Sequence, residues 1–408
     1  MSRRARFLVC LITFFCWVGP APGADEGGVE IVVEKTMEIF TKIPKPGMMN
    51  LVWHPDGSLW LHTQSGNLDK DLAKSTDRGK TWKFVPIHLP DAPPNQFGSG
   101  AGISRDGRLW LIHQQVPGAG GSDFMGKALC VSNSADGGRT WKTTTIDFGP
   151  LAPGGARDPY DLASTAWCYA NVIERPGGTL MFSTSLRYSD SRDYQQEDQT
   201  RPGIRDVMIR SKDGGKTWGD ATIVHQHATE TDHAVDPKDP NHILSASRKQ
   251  RMLLRGEDQA TVDMLAGCPP GSGWPYKGGL LLESTDGGRT FKEVPGSYTG
   301  YYDHRANILW TRNNVVIFTH NDTPKIVAHA ISVLRISLDG GKTWITDGKG
   351  NTPFLAKSKK FRLVPYHKSL SVTIDVGPDR FLTVYPGRQR DEGSSMEGSF
   401  WRLKRPGK

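Results

Sequence analysis

The 408-residue chain has few cysteines: Cys10, Cys16, Cys130, Cys168 and Cys268. None of them forms a Cys-x-x-Cys spacing or clusters with histidines, so no zinc site is legible and no metal or cofactor is called for. Beyond the N-terminus no apolar run reaches the ~18 residues that a bilayer helix needs. The chain also lacks a polybasic run or a basic helix, which argues against a nucleic-acid partner. With 46 Gly and 27 Pro it is not a bundle of long helices. With 12 Trp, 10 Tyr and 15 Phe it has ample apolar surface for a core and is not a disordered chain.

The N-terminus is an address. Arg3, Arg4 and Arg6 precede an apolar run from Leu8 to Val18, and Ala21-Pro22-Gly23-Ala24 supplies small residues for cleavage. Residues 1–23 are thus read as a secretory signal and 24–408 as the mature chain, secreted or periplasmic. Loss of the leader lowers the net charge from +8 to +5 and leaves three cysteines, enough for one disulfide at most.

What is present is repetition. Ser75-Thr-Asp77-Arg-Gly79-Lys-Thr81-Trp82 recurs in the motifs that start at Ser134, Ser211, Ser284 and Ser337, at intervals of 59, 77, 73 and 53 residues. Such self-similarity marks a repeat architecture. Within each motif the Asp and Ser/Thr side chains suit bonds to backbone N–H groups of their own turn, and Gly suits the tight return. The motif aspartates read as structural. A second pattern of strand, turn and strand interleaves with the first, at Asn50–His62, Ala101–His113, Tyr169–Thr184, Asp232–Ser247, Arg305–His320 and Ser369–Tyr385. Six four-stranded units suggest one all-β, six-bladed β-propeller, since radial closure protects strand edges. Val29–Glu38 reads as a strand that completes the last blade beside the C-terminal run Ser399–Lys404.

The five motifs resemble the Asp-box repeats of the sialidase (neuraminidase) superfamily, and the resemblance covers essentially the whole mature chain. It implies a site on the propeller axis, away from the Asp boxes. There, arginines grip a substrate carboxylate, a Tyr nucleophile pairs with a Glu, and an Asp serves as acid and base. A neutral phenol deprotonated by Glu as it attacks avoids the repulsion that a carboxylate nucleophile would feel from an anionic sugar.

Carried over by position, Glu230 is the base. Arg248, at the end of Ile-Leu-Ser-Ala-Ser-Arg, and Arg305 are the carboxylate ligands. Tyr366, in Tyr-His-Lys-Ser-Leu-Ser-Val, is the nucleophile, and Asp69 or Asp71 is the acid/base. Lys42, in Thr-Lys-Ile-Pro, stands where the family has its first Arg and would keep the charge without the bidentate fork. His304 is read as a further substrate-binding residue, with Tyr302, Asp303, His233, His367 and Lys368 at the same strand starts. The resemblance implies a secreted, retaining exo-α-sialidase-like hydrolase, monomeric, acting on acidic glycans or glycoconjugates. Two other readings stay open. Arg305, His304 and Tyr302 or Tyr366 would serve a uronate polysaccharide lyase, and the loss of the first Arg suits a propeller that binds acidic glycans without cutting them.

Overall fold

A computed structural model describes residues 28–43, 49–65, 67–89, 96–115, 128–146, 162–167, 171–188, 204–226, 228–251, 258, 260, 276–299, 306–322, 331–348, 350–363, 371–390 and 393–405. The chain runs through β1 (Glu30–Ile43) and then blade by blade. Blade 1 is β2 (Asn50–Trp53), β3 (Leu59–His62), β4 (Leu72–Ser75) and β5 (Lys83–Phe84). Blade 2 is β6 (Gln96–Ile103), β7 (Leu109–Gln115), β8 (Ala128–Ser134) and β9 (Lys142–Ile146). Blade 3 has a two-piece inner strand, β10 (Leu162–Trp167) and β11 (Ile173–Glu174), both paired with β12 (Leu180–Tyr188); β13 (Ile204–Ser211) and β14 (Gly219–His225) follow.

Blade 4 is β15 (Ala228–Val235), β16 (Ile243–Arg251), β17 (Tyr276–Ser284) and β18 (Lys292–Glu293). Blade 5 is β19 (Asn307–Trp310), β20 (Val316–Asp322) and β21 (Ile331–Ser337). It is continued by β22 (Trp344–Ile345), which pairs with β23 (Asn351–Thr352). Blade 6 is β24 (Val372–Gly377), β25 (Arg380–Arg390) and β26 (Gly393–Lys404). The expected closure is present: β1 pairs antiparallel with β26 from Glu30–Lys404 to Ile43–Ser394, so the first strand forms the outer edge of the last blade.

The five Ser-x-Asp motifs sit where the third strand of a blade turns toward the fourth. In the first, Ser75 Oγ donates to Asp77 Oδ1 at 2.8 Å and accepts from the Gly79 amide at 2.8 Å, while Thr81 Oγ donates to Asp77 Oδ2 at 2.6 Å. The same bonds recur around Asp136, Asp213, Asp286 and Asp339. Gly79 turns at φ 86°, a conformation open to glycine at little cost. In three motifs the aromatic ring closes the turn with an indole N–H bond, as Trp82 does to Gly79 O at 2.9 Å. The motif aspartates are structural clasps.

The core is divided into six wedges, each between neighbouring blades. Trp60, Leu72 and Ile87 meet Leu109 and Trp141 between blades 1 and 2; Trp110 and Ile112 meet Phe182 and Ile209 between blades 2 and 3. Corresponding clusters join 3 to 4, 4 to 5, 5 to 6 and 6 to 1. Strand alternation sends one face of each blade to each neighbour, so both faces are apolar. Gly102 marks where the inner strands of blades 2 and 3 touch: any Cβ there would collide with Val172, which forms a parallel bridge with Gly102. Among the described residues no helix is long and apolar enough to cross a membrane.

Candidate functional site

The inner strands leave a cavity of about 360 Å³ on the axis, lined from all six blades. Asn50 of β2, Ile103 of β6, Asn171 and Val172 beside β11, Asp232 and His233 of β15, Asn307 of β19 and Thr373 of β24 share its wall. A repeated polar position girdles it. Asn171 bonds the backbone of His233 in the next blade through both its amide N and its amide O, at 2.9 and 3.2 Å. Asp232 accepts from Asn307 Nδ2 at 3.0 Å and from the Ile308 amide at 3.1 Å. These ties bond inner strands that share no ladder and hold them together around the axis.

Glu230 and Arg248 are brought together. The Arg248 Nη2 to Glu230 Oε1 distance is 2.7 Å, and both side chains are nearly inaccessible. Arg248 Nε also donates to Thr229 Oγ1 at 3.1 Å. The sequence pattern starts the blade 4 hairpin at Asp232, but β15 begins at Ala228 and breaks its register between Thr229 and Asp232. Within that bulge Glu230 takes φ 54°, a left-handed backbone that costs a glutamate on the order of 1 kcal/mol. The bulge re-aims the carboxylate, whose Oε2 is buried without a hydrogen-bond partner among the described residues. Backbone strain held in place by surrounding structure is characteristic of functional sites.

The blade 1 loop separates the two candidate acids. Asp71 is 1% exposed and clasps its own loop, accepting from the Ser65 amide and from Ser65 Oγ at 2.6 Å. Asp69 is exposed, and its amide donates to Asn67 Oδ1 at 3.0 Å. Lys42 lies near the end of β1, on the outer edge strand of blade 6, with an exposed side chain; its carbonyl accepts from Lys70 Nζ at 3.3 Å. Arg305, Tyr366, His304, Tyr302, Asp303, His367 and Lys368 lie outside the described residues, as do the leader, Cys168 and Cys268. Cys130 is buried as a free thiol.

His233 is built into the wall between blades 3 and 4, with Nδ1 2.7 Å from Ser245 Oγ and Nε2 2.9 Å from Ser183 Oγ. Asp206, on β13, was not singled out from the sequence. It is 1% exposed, and burial pushes its carboxyl up to about 7 against weaker lowering by Thr231 and Ser183. No residue pattern in Arg-Asp-Val-Met announces it. The Asn/Asp girdle, by contrast, is visible in retrospect as the first residue of Asn50-Leu-Val-Trp, Asn171-Val-Ile-Glu, Asp232-His-Ala-Val and Asn307-Ile-Leu-Trp. Among the described residues no group of three or more His, Cys, Asp or Glu side chains is placed to hold a metal ion.

No family model matches the chain. A curated sialidase from Bacteroides fragilis (strain YCH46) is 25% identical over an alignment of 307 residues that covers 68% of this chain and 48% of that protein, so the match spans about half of the relative's length. The Hadza microbial sialidase Hz136 superposes with a TM-score of 0.55 at 17% identity, covering 86% of this chain and 65% of that one. A Penicillium chrysogenum α-L-arabinanase, solved with arabinobiose, superposes with a TM-score of 0.55 at 14% identity, covering 91% and 98%. The two structures share the fold of propeller glycoside hydrolases with this chain. The chain is thus similar in sequence to a sialidase over about two thirds of its length, and it shares the six-bladed propeller fold of sialidases and arabinanases.

Proposed function

We propose that the chain is a secreted, retaining glycoside hydrolase of exo-sialidase type, acting on glycans whose terminal sugar bears a carboxylate. The observation that carries this reading is the buried Glu230–Arg248 pair, held by a left-handed bulge at the start of an inner strand. In sequence, Tyr366 stands six residues before β24 and Arg305 two before β19, as Glu230 stands near the start of β15. In the proposed reaction Glu230 takes the phenolic proton as the Tyr366 oxygen attacks the anomeric carbon. Asp69, the exposed acid of the blade 1 loop, protonates the departing glycosidic oxygen. It then deprotonates the water that releases the sugar, and the proton returns from Glu230 to Tyr366. Asp71 holds the loop. Arg248 and Arg305 face the carboxylate. Residues 1–23 direct export, and 24–408 are the mature enzyme.

The exposure of Lys42 on an outer strand favours a second reading, in which the sugar is neutral, as in the arabinanase that shares this fold. A panel of 4-methylumbelliferyl α-sialoside, arabino-oligosaccharides and uronate polysaccharides decides between them. Hydrolysis of the sialoside that Tyr366→Phe abolishes supports the first reading. Arabinose release alone supports the second, an unsaturated uronate marks a lyase, and binding without turnover marks a lectin-like propeller.

A further inference from the structure

Between Asp347 and Asp375 the chain carries Lys349, Lys357, Lys359, Lys360, Arg362 and Lys368 and no Asp or Glu. Four of these cations are interrupted by Ser358 and Phe361, so no long basic run marks them in the sequence. The fold turns the interruptions inward: Leu355, Ser358 and Phe361 are buried, while Lys357, Lys360 and Arg362 are exposed. The Lys359 amide donates to Ile345 O at 2.7 Å, and Phe361 exchanges backbone bonds with Leu334 at 2.8 and 2.9 Å, so the segment is laid against β21 and β22 of blade 5. Arg335 of β21, 1% exposed, holds it from within, its Nη1 donating to Leu355 O at 2.8 Å and to Ser358 O at 2.7 Å. Phe354 heads the segment with an exposed ring, and Lys357 Nζ lies 5.1 Å from the ring centre. Gly296 of blade 4 turns at φ 67°, and any side chain there would collide with that ring.

We propose that this strip, Phe354 with Lys357, Lys360 and Arg362, is a docking surface for an acidic polysaccharide chain, separate from the residues of the proposed reaction. Exposed cations on a firmly held segment that has no acid of its own attract repeated carboxylates, and the ring beside them offers an apolar face to a sugar. A linear polymer of acidic sugars presents both features at regular spacing. On the blade 4 side, Glu293 of β18 is held by His225 and Lys249, which leaves the strip its positive sign. Tyr366 stands four residues after Arg362, which ties the strip in sequence to the proposed nucleophile. The proposal rests on the glycosidase reading for the choice of a glycan over another polyanion, but not for the docking itself.

The test has an arm that needs no turnover. Binding of the full chain to immobilised polygalacturonate should be measurable at low ionic strength and weaken as salt is added, with neutral dextran not bound. The triple variant Lys357→Gln, Lys360→Gln, Arg362→Gln should bind about tenfold more weakly, and Phe354→Ala about threefold. The control triple Lys80→Gln, Lys216→Gln, Lys342→Gln makes the same charge change at exposed turn positions and should bind as the wild type does. Equal losses in the two triples overturn the proposal, as does tighter binding of duplex DNA than of polygalacturonate at the same ionic strength. Lys357→Gln alone, expected to weaken binding about twofold to threefold, carries the test if the strip triple fails to fold. In the activity arm, KM for polysialic acid should rise about tenfold in the strip triple with kcat unchanged, while the 4-methylumbelliferyl sialoside keeps its wild-type KM. If binding follows the strip and no glycan is cleaved, the glycosidase reading fails and the docking surface stands. If the sialoside is cleaved and the two triples bind alike, the docking surface fails and the glycosidase reading stands.

Discussion

Arg248 of β16 and Glu230 of β15 meet at 2.7 Å, both almost wholly buried, with Glu230 at φ 54°. A charge pair hidden from water gains little net stability by existing, but loses much when one partner is removed. Arg248→Ala should therefore cost about 3–5 kcal/mol in calorimetric stability, because Glu230 is left charged and unpaired. The Glu230→Ala, Arg248→Ala double variant should cost less than the sum of the singles by about 1–3 kcal/mol. Glu230→Gln leaves the Arg248 guanidinium without a counter-charge and should also lower stability, but by less than Arg248→Ala, because the amide oxygen still accepts a hydrogen bond. It should lower kcat by about 10²–10⁴-fold. Additive stabilities would refute the coupling.

The turn motifs should matter for acid stability and not for catalysis. Asp339 is pushed up by burial, but the Thr343 hydroxyl and amide and the Ser337 hydroxyl outweigh that and hold it below the usual range. Its folded value is depressed, so its contribution is fully present above the unfolded aspartate value near ~4 and is lost as pH falls below it. Asp339→Ala should cost about 1–3 kcal/mol at pH 7 and less at pH 2–3, with kcat unchanged. A variant equally destabilised at both pH values would show that the carboxylate charge is not the clasp.

His113 adds a second acid-sensitive element. Burial pushes its imidazole down to about 3, and its Nε2 lies 2.7 Å from Ser132 Oγ between blades 1 and 2. The unfolded chain binds a proton near ~6.5 and the folded one does not, so stability is full above that value and falls as pH drops toward 3. The loss is as much as about 4–5 kcal/mol. His113→Gln should flatten the pH dependence of the melting temperature between 6.5 and 4. An unchanged slope would contradict the assignment.

The closure of the ring should be decisive for folding. A chain lacking residues 28–43 loses the whole β1–β26 ladder and leaves β26 as an open edge. Its melting transition should broaden and drop, and the protein should self-associate in sedimentation. By contrast, Glu34→Ala, which removes only the exposed Arg380 ion pair at 2.7 Å, should change stability by less than about 1 kcal/mol.

Local chemistry made part of this molecule readable from sequence. The Ser-x-Asp-x-Gly-x-Thr turns are made by residues within seven positions of one another, so their bonds follow from the sequence, and their number and spacing carry the propeller with them. The strand beginning near Val29 was readable because it is apolar and otherwise without a partner. Family position named Glu230 and Arg248, but with Tyr366 and the substrate carboxylate as their partners; their ion pair, the bulge and the left-handed glutamate depend on how β15 registers against β16. Asp206 was invisible because nothing in its neighbours along the chain is unusual; its carboxyl is pushed up by burial, which other strands supply when blades 3 and 4 close on it. The split between Asp69 and Asp71, two residues apart in one loop, was likewise decided by tertiary structure, which turns one carboxylate inward to Ser65 and leaves the other in water. Turn geometry is a matter of short range and belongs to the sequence, whereas desolvation depends on what packs from elsewhere and belongs to the fold.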